Sequence, residues 1–233
     1  MALGSYLCWV PDPRQSSSRP YPLKDRGQMV NNAFFKLADP KATEIMGLEI
    51  HPTFWSRHYE YPWALQFAEP GQTVADMGCG WHQRPFKDAL AQICELVYAV
   101  DGHPGVTKLP GHANMPFVVA DITKPIPEIA DSILDRVFCI SVIEDLRDIA
   151  GKALAEFARC VKNDGLVIVT CDSQYDYDKP LAQYPGVPID VLEQAVDEAG
   201  LEFVGERDWD KTGALYHEGF NLAVVHMILR RKA

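Results

Sequence analysis

Long apolar runs are missing from this 233-residue chain. No stretch of 18 or more apolar residues occurs, so no membrane-spanning helix is expected. Metal-type cysteine spacing is missing as well. The cysteines are Cys8, Cys79, Cys94, Cys139, Cys160 and Cys171, and no two stand as C-x-x-C. Four of them lie inside apolar periodic stretches, so neither a zinc site nor a disulfide framework is expected. Buried free thiols suit a reducing compartment, and the expected location is the cytoplasm. The opening MALGSYLCWV has no basic region and no small-residue cleavage site before Pro11, so it does not read as a leader peptide. Basic charge is scarce: 22 Lys+Arg against 32 Asp+Glu leaves a net charge of −10. Binding along nucleic-acid phosphates depends on Lys and Arg, so no nucleic-acid partner is expected. The hydrophobic fraction of 47% and charged fraction of 23% are those of an ordinary globular protein, which excludes whole-chain disorder and coiled coil.

The chain divides in texture. Residues 1–27 are rich in proline and serine, with Pro11, Pro13, Pro20 and Pro22 around Ser16, Ser17 and Ser18, and read as an irregular arm. Residues 28–38 read as helical, 41–47 as a second short helix ended by Gly47, and 62–68 as a helix opened by Pro62. We take 1–61 as an N-terminal extension and 62–233 as the main domain. The extension carries Tyr6, Trp9, Tyr21, Phe34, Phe35, Phe54, Trp55 and Tyr59, aromatics expected to form either a lid over a site or a homodimer interface.

From residue 73 short apolar runs alternate with helical periods. The runs are 73–77, 96–100, 117–120, 134–140 and 165–170; the helices are 84–95, a short one near 126–133, 148–161 and 189–199, the last stopped by Gly200. Two further strands follow, near 201–208 and 221–230. Near-continuous Val/Ile/Leu runs predict strands covered on both faces, hence an α/β doubly wound, mostly parallel sheet.

Three strand ends carry chemistry. Val74-Ala75-Asp76-Met77-Gly78-Cys79-Gly80 is a strand running into a glycine turn before a helix, where backbone can approach a ligand closely. A dinucleotide fingerprint needs a third glycine at the position held by Gln83, and Asp76 stands where such a strand is apolar, so a nicotinamide cofactor is disfavoured. Asp101, followed by Gly102, ends the second strand and is placed to accept ribose hydroxyls. Asp121, followed by Ile122, ends the third, where a carboxylate can accept from an exocyclic amine.

These residues resemble class I S-adenosylmethionine-dependent methyltransferases of the type 11-like group, over most of 62–231. Asp76, Gly78, Cys79 and Gly80 resemble the family's first motif. Ser141-Val142-Ile143-Glu144-Asp145-Leu146 resembles its segment after the fourth strand. The resemblance implies a seven-stranded Rossmann-like sheet with an antiparallel C-terminal hairpin strand. It implies S-adenosyl-L-methionine as cofactor, held by Asp76, Gly78, Cys79, Gly80, Asp101, Gly102, Asp121, Ile122 and Ser141. There are departures: His82 stands for a frequent third glycine, Asp145 for the usual histidine, and only fourteen residues (102–115) join the second and third strands.

The expected activity is methyl transfer to an oxygen or nitrogen of a small-molecule acceptor. The alternative is a non-catalytic, nucleoside-binding or scaffold member of the fold. No Asn/Asp-Pro-Pro-Tyr/Phe string follows the fourth strand, so base amino-methylation is disfavoured. Arg57 is read either as a fork for the cofactor's carboxylate or as part of a solvated helix face. Tyr175 and Tyr177 line an acceptor pocket or cap a loop, and His217 is a general base or a surface hairpin residue. His226, alternating with apolar residues, is expected in the core. No catalytic residue and no metal site is assigned.

Overall fold

In the computed structural model, residues 32–82, 85–179 and 186–232 are described. The chain opens with β1 (Asn32–Phe34), a hairpin of β2 (Glu44–Ile45) and β3 (Leu48–Glu49), and helix α1 (Arg57–Ala64). Then follow β4 (Thr73–Met77), α2 (Pro85–Ile93), β5 (Leu96–Asp101), β6 (Phe117–Val119), β7 (Leu134–Ile140), α3 (Ile143–Leu146), α4 (Ala150–Cys160) and β8 (Val161–Gln174). The end of the chain gives α5 (Ile189–Glu198), β9 (Leu201–Phe203), β10 (Arg207–Asp208), β11 (Tyr216–His217) and β12 (Leu222–Arg231).

The doubly wound pattern holds. Strands run β6-β5-β4-β7-β8-β12 across one sheet, parallel as far as β8, and β12 lies antiparallel between β8 and β9. The continuous apolar runs are explained by cover on both faces. On one face Leu154, Phe157, Leu192 and Val196 of α4 and α5 pack onto Val137, Cys139, Val169 and Val225. On the other, Tyr61, Ala64, Phe86 and Leu90 of α1 and α2 pack onto Val74, Val97, Phe138 and Ile168.

Several local expectations change. Within 28–38, residues 32–34 form a strand rather than a helix, because β1 finds an open edge of β12 and buries Phe34 there. Residues 44–49 form a hairpin instead of a short helix, since Met46 and Gly47 both take positive φ (49° and 74°) and turn the chain back. The helix expected at 62–68 starts at Arg57, with Pro62 inside it. Pro62 has no amide for the His58 carbonyl, and the Ala42 amide fills that place at 2.8 Å. Residues 126–133 form turns, with Ile126 and Ile129 dipping into the core, and no helix. Among the described residues, β1, β10 and β11 extend the expected seven strands to ten.

The boundary drawn at 61/62 falls inside α1, so residues 32–61 are part of the sheet's own packing. Phe34, Phe35 and Tyr59 are buried within the chain, Phe35 and Tyr59 with Leu215 and Val224. Tyr6, Trp9 and Tyr21 lie outside the described residues. His226 sits in the core as expected, its ring centroid 4.7 Å from both Phe35 and Trp63. Burial pushes its pKa down to about 4. No described helix is long and apolar enough to cross a membrane.

Candidate functional site

The open edge of the sheet, where β4 to β8 end, gathers the strand-end residues. β4 runs into Gly78 and Gly80 at φ 80° and 78°, a backbone state L residues seldom adopt. The amides of Gly78 and Cys79 both donate to the Val100 carbonyl (2.8 and 2.9 Å), pinning the turn to β5. A Cβ on Gly78 would stand 2.6 Å from Val142 Cγ2, so the turn and the β7 tip close on one another. Asp101 is oriented by two amides: Gly80 donates to Oδ2 and His103 to Oδ1, each at 2.8 Å. Asp76 and Cys79 are buried beneath the turn. Gly102 is not demanded by its geometry, since a Cβ there meets only Ala120 O at 3.7 Å. Trp81, which the sequence analysis did not single out, stacks on the His103 ring at 4.4 Å beside Asp101.

Asp121 follows β6 and is exposed. Its Oδ1 accepts the hydroxyl and the amide of Thr123 (2.7 and 3.0 Å), and Lys124 lies 2.9 Å away. The Thr123 hydrogen bonds, with Lys124, hold its pKa down at about 2. Ile122 turns into the core.

The β7 tip carries a polar network that joins α1 to the sheet. Ser141, at φ 46°, donates its hydroxyl to Glu60 Oε1 at 2.6 Å, and Thr170 of β8 donates to the same oxygen at 2.5 Å. Arg57 Nη1 donates to Glu60 Oε2 and to Ser141 Oγ, each at 2.6 Å, and to Ser56 Oγ at 3.1 Å. Burial by itself would raise the Glu60 pKa, but Arg57 and the two hydroxyls outweigh it and keep the group ionised. The reverse balance holds Arg57 above its ordinary value. Arg57 is thus no solvated surface residue, and this end of its fork is spent within the protein.

Two more carboxyls lie beside this network, and the sequence reading gave them no role. Glu144 of α3 is 5% exposed, and its Oε2 has no hydrogen-bond partner among the described residues. Asp172 of β8 likewise has an unpartnered Oδ1. Burial, then the charge of Asp172, pushes Glu144 well above the usual carboxylate range. Burial and the charge of Glu60 push Asp172 up to about 7. The sequence sign of Asp172 was a charge interrupting Val-Ile-Val-Thr-Cys-Asp, and that of Glu144 was its place in the Ser-Val-Ile-Glu string.

Tyr175 and Tyr177 lie just past β8, where Lys211 sits over both rings (5.5 and 4.4 Å) and donates to the Tyr175 carbonyl. The Tyr177 hydroxyl accepts the Ile189 amide at the start of α5 (3.2 Å). His217 stacks on Phe220 at 4.0 Å and meets the Trp55 ring edge at 5.4 Å. These three surround the C-terminal hairpin and β8 end, and none makes a hydrogen bond to the glycine turn or the Glu60 network. No metal-type cluster occurs among the described residues.

Comparison with known proteins bears on the domain type and the fold. The family model of the methyltransferase domain matches residues 75–169, from β4 to the middle of β8. No curated protein matches the sequence. Among solved structures, the [4+2]-cyclase SpnF is similar at 12% identity, with 88% of this chain and 87% of that chain covered and a TM-score of 0.62. A TehB-like SAM-dependent methyltransferase from Corynebacterium glutamicum is similar at 18% identity (74% and 87% covered, TM-score 0.52). Phospholethanolamine N-methyltransferase 2 of Haemonchus contortus, in complex with phosphomonomethylethanolamine and S-adenosylhomocysteine, is similar at 14% identity (73% and 51% covered, TM-score 0.54). At these identities the structures speak for the fold, and the family domain speaks for its type. Residues 75–169 thus match the methyltransferase domain family, on a fold similar to that of S-adenosylmethionine-dependent methyltransferases.

Proposed function

We propose that this enzyme methylates an oxygen or nitrogen of a small-molecule acceptor bound at the open edge of the sheet. The observation that carries the reading is the coupling of the glycine turn to Asp101 through the 2.8 Å Gly80 amide bond, at the sheet edge that also carries buried Glu144 and half-buried Asp172. The site fits S-adenosylmethionine. Each Asp101 oxygen receives one amide and keeps acceptor capacity for a pair of vicinal hydroxyls. Gly78 lets the turn pack directly against Val142, which sets the turn's backbone beside the β7 tip. When bound, the cofactor supplies a methyl group already activated on a sulfonium.

The protein's own residues then have limited tasks. Asp101 holds the ribose end, and the Gly78–Gly80 turn lets the backbone lie against the ligand. Asp121, with Ile122 beneath it, borders the adenine end, and Trp81 on His103 walls the site beside Asp101. Arg57, Glu60, Ser141 and Thr170 fix α1 across the edge and exclude water there, so that alignment of the reacting atoms supplies most of the rate. Asp172, poised near neutrality, takes the acceptor's proton. Isothermal titration with S-adenosylmethionine and S-adenosylhomocysteine, followed by a screen of acceptor pools for S-adenosylhomocysteine release, tests this. Failure to bind either nucleoside would sink it and leave the scaffold alternative.

A further inference from the structure

The carboxyls of Glu144 and Asp172 are costly as the protein stands. Each has an oxygen without a partner among the described residues, and Glu144 is almost wholly buried. Carboxyls in such places are ordinarily paired with a cation or fully hydrogen-bonded. The positive group acting on both is Arg57, and its short bonds go to Glu60, Ser141 and Ser56. Among the described residues, Glu60, Glu144 and Asp172 therefore share the influence of an arginine that Glu60 already pairs. What would complement this edge is a group with several N–H donors and a positive charge. A neutral alcohol brings one O–H and no charge, and leaves acceptors unsatisfied. An alkylammonium brings up to three donors and the charge.

Resting on the methyl-transfer reading above, we infer that the acceptor is an amine, entering as its ammonium ion and held between Glu144 and Asp172. Glu144 accepts an N–H through its unpartnered Oε2 and helps hold the nitrogen. Ionised Asp172 accepts another and then takes the ammonium proton. The freed lone pair on nitrogen forms the new bond to the methyl carbon while the carbon–sulfur bond breaks, its electron pair staying on sulfur. The positive charge passes from sulfur to the methylated nitrogen, which leaves as an ammonium or gives up a second proton to water. Asp172 returns its proton to solvent.

The test uses the full chain and pairs of amines with alcohols of the same skeleton, beginning with 2-phenylethylamine and 2-phenylethanol. In one arm, each is titrated calorimetrically into protein saturated with S-adenosylhomocysteine. In the other, S-adenosylhomocysteine release is followed across a series of primary and secondary amines and the matched alcohols. Amines are expected to bind and turn over at least ~10-fold better than their alcohols, the scale of one charge-assisted hydrogen bond. The isosteric change Asp172→Asn, checked for unchanged melting behaviour, is expected to erase that preference. Equal or better use of the alcohols, release with no amine, or a preference untouched in this variant overturns the amine assignment. Absence of S-adenosylhomocysteine binding would instead remove the methyl-transfer reading beneath it.

Discussion

Ser141 and Glu60 lie 81 positions apart in the chain, and their side chains meet at 2.6 Å. Through this bond α1, which begins before the family domain, is tied to the tip of β7 beside the glycine turn. Ser141 takes a positive φ to make it, a conformation that persists only where its surroundings hold it. Glu60 collects two hydroxyls and an arginine there, so stability and site geometry share the same group.

Glu60→Ala removes the counter-ion of Arg57 and leaves a guanidinium buried without its pair. The expected loss is about 3–5 kcal/mol of unfolding free energy, read by urea denaturation. A loss under about 1 kcal/mol would mean that Arg57 relaxes to water and that the network does not anchor α1.

Asp101→Ala takes away the acceptor of the Gly80 and His103 amides as well as the proposed ribose partner. Cofactor affinity is expected to fall by ~1–3 kcal/mol in calorimetric titration, with the fold retained. Unchanged affinity would make Asp101 a brace for the turn and nothing more.

Gly78→Ala strains the backbone at φ 80° and sets a methyl against Val142. Loss of cofactor binding with a folded circular dichroism spectrum is expected. Adding Val142→Ala relieves the contact and not the φ, so the double variant should regain part of its stability while binding stays weak. Full recovery of binding would assign the glycine to packing alone.

Initial rates are expected to rise as pH climbs through about 7, because the proposed proton acceptor Asp172 is active as the carboxylate. Burial and Glu60, with Asp145, set this value against the opposing pull of Arg57. In Asp172→Asn this limb should disappear; if it persists, another group carries it.

His226 makes a separate pH prediction, in stability. Its pKa falls from 6.5 to about 4 on folding, so the unfolded chain binds more protons between those values. Stability is therefore fully present above pH 6.5 and is lost as pH falls toward 4, by at most about 3 kcal/mol. The facing rings of Phe35 and Trp63 reduce that loss by stabilising the imidazolium. Melting temperatures of the native chain and His226→Phe should converge as the pH is lowered across this window. Parallel curves would discard the assignment.

The parallel strands, the glycine turn and the acids at the strand ends were legible from residues 73–231 because they depend on local pattern. A strand buried on both faces reads as a continuous apolar run, and a turn with positive φ asks for glycine. The segments before residue 62 were harder. β1 is a strand because β12 offers it an edge, and α1 runs through Pro62 because Ala42, distant along the chain, supplies the missing amide. Glu60, Glu144 and Asp172 come from three separate elements, and each reads in sequence as an ordinary acid. Their shared environment, and the class of acceptor inferred from it, arises only when the fold removes water from around them and brings Arg57 to act on all three. Burial and charge proximity are properties of the assembled sheet edge, which no single stretch of the sequence contains.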